Sequence, residues 1–166
     1  MLTVLAIDPG SSESAFVILK PNGRIADFAK LPNPKILLHL QRRELHADLM
    51  AIEKIASYGM PVGAETFDTC FWSGRFIEAW GGSFTSHPWR LIPRAEVKMH
   101  LCHKTAGVND SVIRQRLIDL HGGKEAAIGR KAMPGPLYGV KADCWQALAL
   151  AVTAAEIEAA VGMVTA

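Results

Sequence analysis

The sequence predicts an α/β fold in which an opening antiparallel meander is followed by helices alternating with single strands. Three observations carry this reading. The apolar run Leu2-Thr3-Val4-Leu5-Ala6-Ile7 stops at Asp8 and a Pro9-Gly10-Ser11-Ser12 turn, as a buried strand does at its end. Asn22-Gly23 separates two further apolar runs and is a tight-hairpin pair. Beyond Pro34 the apolar residues recur at helical spacing, interrupted by short runs of strand composition.

Taken in order, residues 2–8, 14–20 and 24–29 are strands of the meander. Residues 35–58 carry Ile36, Leu37, Leu40, Leu45, Leu49, Ile52 and Ile55, which predicts one long amphipathic helix. A short strand at 61–65 ends in Glu65, and a helix over 73–80 precedes a break at Gly81-Gly82. A strand at 89–92 leads to helices at 94–101 and 109–121, the second opening at Val108-Asn109-Asp110-Ser111, where helix capping accounts for Asp110. Residues 122–140 form a long connection rich in glycine, proline and lysine, of a length often associated with function or mobility. The last helix runs from about 142 to 160.

The chain has 166 residues, 49% of them hydrophobic and 20% charged, which fits one domain with a full core and argues against disorder. The net charge of +2 is nearly neutral, yet basic residues gather between Arg90 and Lys131, which suits a phosphate-binding flank. No charged segment precedes the first apolar run, and no unbroken apolar stretch approaches the roughly 20 residues of a membrane span. A cytoplasmic protein with no membrane partner is expected. Cys70, Cys102 and Cys144 are odd in number and widely spaced, so reduced thiols in the core are expected. His100, Cys102 and His103 do not have the spacing of a zinc finger and lack a fourth ligand.

Three acids occupy the ends of core elements: Asp8 and Glu65 at strand ends, Asp143 at the head of the last helix. A carboxylate beside apolar residues is costly without a positive partner, which suggests a cation. Hard ions such as Mg²⁺ take oxygen ligands, and a pair of them about 4 Å apart can hold both the attacking water and the leaving oxygen of a phosphodiester. On the last helix Asp143 shares a face with Ala147, Leu150 and Ala154, and Gln146 lies close to the same line. Small alanines there let the helix approach a sheet closely.

The set Ala6-Ile7-Asp8-Pro9-Gly10-Ser11, Glu65 and Asp143-x-x-Gln146-Ala147-Leu148-Ala149-Leu150-Ala151 resembles the RuvC-like Holliday junction resolvases of the RNase H-like superfamily, particularly their phage-encoded relatives. The resemblance spans essentially the whole chain. It implies a mixed five-stranded sheet, its first three strands antiparallel, flanked by helices in a single domain over 1–166. It also implies an endonuclease that cleaves branched DNA such as a four-way junction, acts as a homodimer, and binds two Mg²⁺ or Mn²⁺ ions through Asp8, Glu65 and Asp143. If the chain is phage-encoded, the compartment is the host cytoplasm. By the same likeness Lys98, in Arg94-Ala95-Glu96-Val97-Lys98, joins the catalytic set, and Arg94, Lys98 and Lys104 contact phosphates. Residues 66–72 correspond to the family's crossover loop, where Phe71 and Trp72 would stack on unpaired bases.

Two positions depart from the family pattern. Gln146 stands where the last helix commonly carries a second acid, and offers a carbonyl oxygen without charge; Glu13-Ser14-Ala15 replaces a glycine of the opening turn. Two other functions compete with the nuclease. A non-catalytic DNA-binding module would explain Gln146, and an actin-like or sugar-kinase phosphotransferase shares the Ile-Asp-x-Gly-like opening but needs a second, duplicated domain.

Overall fold

In the computed structural model, which describes residues 2–57, 59, 61–81 and 87–164 with the side chains of 162–164 excepted, five strands form one sheet. The opening run builds β1 (Val4–Asp8), followed by β2 (Glu13–Leu19) and β3 (Ile25–Pro32), which pair antiparallel in turn. α1 (Asn33–Gln41) leads to β4 (Leu49–Lys54), α2 (Ala64–Trp80) to β5 (Trp89–Pro93). β1, β4 and β5 run parallel, so the strand order is β3-β2-β1-β4-β5. α3 (Arg94–Cys102), α4 (Asp110–Leu120), α5 (Lys124–Ala127), a small hairpin of β6 (Gly129–Arg130) with β7 (Met133–Pro134), and α6 (Cys144–Val164) complete the chain.

Alternation along the central strands divides the core in two. Val4, Ala6, Leu49 and Ala51 face α6, α3 and α4, whereas Leu5, Ile7, Met50 and Ile52 face α1 and α2. Ala147, Ala151 and Ala154 are fully buried, so α6 lies close against β1 and β2. By length and composition Cys144–Val161 could cross a membrane, a property hidden in the sequence by Glu156 and Glu158. Here its apolar surface is spent on the core of the sheet.

Several expectations need correction. The helix expected over 35–58 is instead α1 followed by β4, and residue 58 lies outside the described residues. Its apolar spacing was the sum of two patterns: Ile36, Leu37 and Leu40 line one face of α1, while Leu49-Met50-Ala51-Ile52 is a continuous run buried on both sides of a parallel sheet. Such a short run cannot be told from a helix by periodicity. The break falls at Arg43, which takes a left-handed conformation (φ 57°) and donates to the Trp80 carbonyl at 2.7 Å, with no glycine or proline to mark it. No strand forms at 61–65; the helix expected at 73–80 begins at Ala64 and includes Glu65. Gly82 of the expected break lies outside the described residues. The connection at 122–140 holds α5 and the β6–β7 hairpin and buries Leu137. Of the thiols, Cys144 is buried but Cys70 is exposed on α2.

Candidate metal centre

The turn after β1 is tied down before any charged group is considered. The Gly10 N–H donates to Ser14 Oγ at 3.1 Å, that hydroxyl donates to Asn33 Oδ1 at 2.6 Å, and Asn33 Nδ2 donates to the Gly10 carbonyl at 2.9 Å. Asn33 and Ser14 are buried, so this closed ring of bonds is shielded from water. A Cβ on Gly10 would lie 2.3 Å from the Glu13 carbonyl oxygen, which restricts the position to glycine. Asp8 is thereby held at the end of a fully buried strand.

In the parallel pairing of β1 with β4, Ile7 lies opposite Ile52. Asp8 and Glu53 come next on their strands, and the alternation that turns Ala6 and Ala51 toward α6 turns both carboxylates the same way. Burial, and after it the Glu53 charge, pushes Asp8 up to about 7; Arg94 opposes this, while Asp143 and Asp110 add to it. Glu53 is raised as well, chiefly by burial, against the pull of Arg94 and Lys98.

Asp143 immediately precedes α6, and its carbonyl accepts the Gln146 and Ala147 N–H groups at 2.9 and 3.1 Å. Its half-exposed carboxylate pairs with Lys30 Nζ of β3 at 2.7 Å. Arg94, the first residue of α3, donates to Glu53 at 3.1 Å and also to Asp110 of α4. Gln146 is 8% exposed, and its Oε1 has no hydrogen-bond partner.

Asp8 and Asp143, then, are brought to one end of the sheet together with Gln146, Arg94 and Lys98. Glu65 is not at a strand end: it lies exposed in the first turn of α2, on the side of the sheet away from α6, where an acid suits the helix dipole. The strand-end acid is Glu53. Its signal was legible, since Leu49-Met50-Ala51-Ile52-Glu53 repeats the apolar-run-then-acid pattern of Val4-Leu5-Ala6-Ile7-Asp8. The helical spacing of Leu45, Leu49 and Ile52 masks it. Lys104 lies beyond α3 in a cleft with Arg116 and Asp119. Phe71 and Trp72 stand in a helix and not in a loop; Phe71 is 63% exposed, whereas Trp72 packs on Phe76 at 5.9 Å under the Arg75 guanidinium.

Carboxylates and an amide oxygen are the donors that hard divalent cations select. The unpartnered buried Oε1 of Gln146 and the two crowded acids at Asp8 and Glu53 fit such an ion. Among the described residues no three His, Cys, Asp or Glu side chains are gathered to hold one; Asp143 pairs with Lys30, and Glu53 and Asp110 with Arg94. His100 is taken by Glu156, at 2.6 Å.

A mixed five-stranded sheet of this order, flanked by helices, is an RNase H-like α/β fold. The fold is that of RuvC. A Thermus thermophilus RuvC structure aligns with a TM-score of 0.65 at 17% identity, over 96% of this chain and 97% of that one. T. thermophilus RuvC in complex with Holliday junction substrate aligns with a TM-score of 0.67 at 16% identity, over 95% and 96%. No protein-family model matches the sequence, and no curated protein matches it.

Proposed function

We propose that the chain is a metal-dependent endonuclease of branched DNA, a single RNase H-like domain over residues 1–166 that cuts Holliday junctions or related structures as a cytoplasmic homodimer. The observation that carries this reading is the placement of Asp8 and Glu53 one residue beyond the Ile7–Ile52 pair on adjacent parallel strands, with Asp143 and Gln146 at the head of α6. The RuvC fold supports the same reading.

In this reading Asp8, Glu53 and Asp143 hold two Mg²⁺ or Mn²⁺ ions, and Gln146 offers its free carbonyl oxygen. When bound, the ions would supply Lewis acidity for hydrolysis of a phosphodiester to 5′-phosphate and 3′-hydroxyl ends. Lys98 lies one helical turn beyond Arg94 on α3, and its charge already acts on Glu53. It meets the scissile phosphate. Arg94, which here bonds Glu53 and Asp110, would offer its guanidinium to a phosphate, and Lys104 would contact the backbone further out. Phe71 offers an open ring to unpaired bases, with Trp72 behind it.

The neutral Gln146 favours one second reading, a DNA-binding module that does not cut. Cleavage of four-way, three-way and flap DNA with Mg²⁺ or Mn²⁺ separates the two. Asp8→Asn, Glu53→Gln and Asp143→Asn should abolish cutting and leave junction binding largely intact, while Glu65→Gln should cut like the unmodified protein. Binding without cleavage in any metal supports the module; full activity in Glu53→Gln removes that residue from the site.

A further inference from the structure

We infer that Asp110 supplies the metal site of the proposed nuclease with the negative charge that Gln146 lacks. This rests on the nuclease reading.

The side-chain cap of α4 is supplied by the neighbour of Asp110. Asn109 Oδ1 accepts the Val112 N–H at 3.1 Å and the Ser111 hydroxyl at 2.7 Å, so capping of α4 does not use the Asp110 carboxylate. That carboxylate turns to Arg94, which also holds Glu53. One guanidinium thus ties Asp110 to the acid at the end of β4. Asp110 also lines the same cleft as Asp143 and Gln146, between the start of α4 and the head of α6. Into this cleft comes the buried Gln146, whose Oε1 finds no donor.

Affinity for a divalent ion follows the charge of its ligand set. Gln146 contributes an oxygen and no charge; a carboxylate arriving from α4 restores the balance.

Calorimetric titration of the full chain with Mn²⁺ tests this, with metal-free melting temperatures as the control for folding. Asp110→Asn should weaken Mn²⁺ binding by about tenfold or more, and Asp110→Glu should retain it. Adding Gln146→Asp to Asp110→Asn should restore the original affinity. Asp8→Asn should lose binding altogether. Because Asp110 also partners Arg94, its variants can melt earlier without metal; only the rise in melting temperature produced by Mn²⁺ counts for the role. Unchanged affinity in Asp110→Asn beside lost affinity in Asp8→Asn overturns the role of Asp110 alone. An Asp at position 146 that leaves the Asp110→Asn defect in place overturns the compensation. If Asp8→Asn and Glu53→Gln also bind as the unmodified protein does, the nuclease reading fails and this inference with it.

Discussion

Asp8 and Glu53 stand side by side on neighbouring parallel strands, one residue beyond the Ile7–Ile52 pair, and both face α6. Burial and the Glu53 charge disfavour ionisation of Asp8. The folded-state pKa of Asp8, about 7, lies above its ordinary 3.8. Below both values the carboxyl is protonated whether folded or not, and nothing is lost. As pH rises between them the unfolded chain releases its proton first, so stability falls until the folded pKa is passed. Asp8→Asn, which stays neutral, should therefore stabilise the metal-free protein at pH 8 by up to roughly 4 kcal/mol and change little at pH 4. Urea denaturation at both pH values measures this. A less stable variant at pH 8 would show that the carboxylate is satisfied as it stands.

Lys30 holds Asp143 with a half-exposed ion pair. Such pairs are worth about 0–1 kcal/mol, so Lys30→Gln should shift the unfolding midpoint little. It frees a carboxylate that a divalent ion must otherwise win from an ammonium group. Mn²⁺ affinity should rise in this variant; a fall would mean that Lys30 helps to build the site.

Asn33 bonds both Ser14 and the Gly10 carbonyl from a buried position. Asn33→Ala removes the acceptor of the Ser14 hydroxyl and the donor to the half-buried Gly10 carbonyl, at about 1–3 kcal/mol each, and loosens the turn behind Asp8. Lower stability with a larger loss of cleavage is expected. Gly10→Ala should be worse, since its methyl meets the Glu13 carbonyl oxygen. Parallel denaturation and cleavage measurements on the two variants check the order.

Phe71 and Trp72 are neighbours with different duties. Phe71→Ala removes an exposed ring and should alter stability by less than about 0.5 kcal/mol while weakening junction binding. Trp72 packs against the fully buried Phe76, so Trp72→Ala should destabilise by about 1–3 kcal/mol. Equal loss of junction affinity at equal stability in both would contradict this division.

The meander, the hairpin at Asn22-Gly23 and the helices of the second half were legible because each has a local cause: a turn pair, a cap, an apolar stripe. Asp8 and Asp143 were legible as acids bordering apolar runs. Glu65 mimics a strand-end acid because Pro61-Val62-Gly63-Ala64 has strand-like composition, and Glu53 is masked because Leu49 and Ile52 prolong the spacing of α1. The chain turns at Arg42 and Arg43 with no residue that announces a turn.

From composition and pattern alone followed an α/β chain whose first strand ends in a carboxylate and whose last helix begins with one. Folding in three dimensions placed Glu53 near the end of β4 and Glu65 in the first turn of α2, and brought Arg94 to both Glu53 and Asp110. The reason is that a parallel strand buried on both faces has no period of its own. Its identity, and hence the company its terminal acid keeps, is set by the neighbours β1 and β5, which lie far away along the chain.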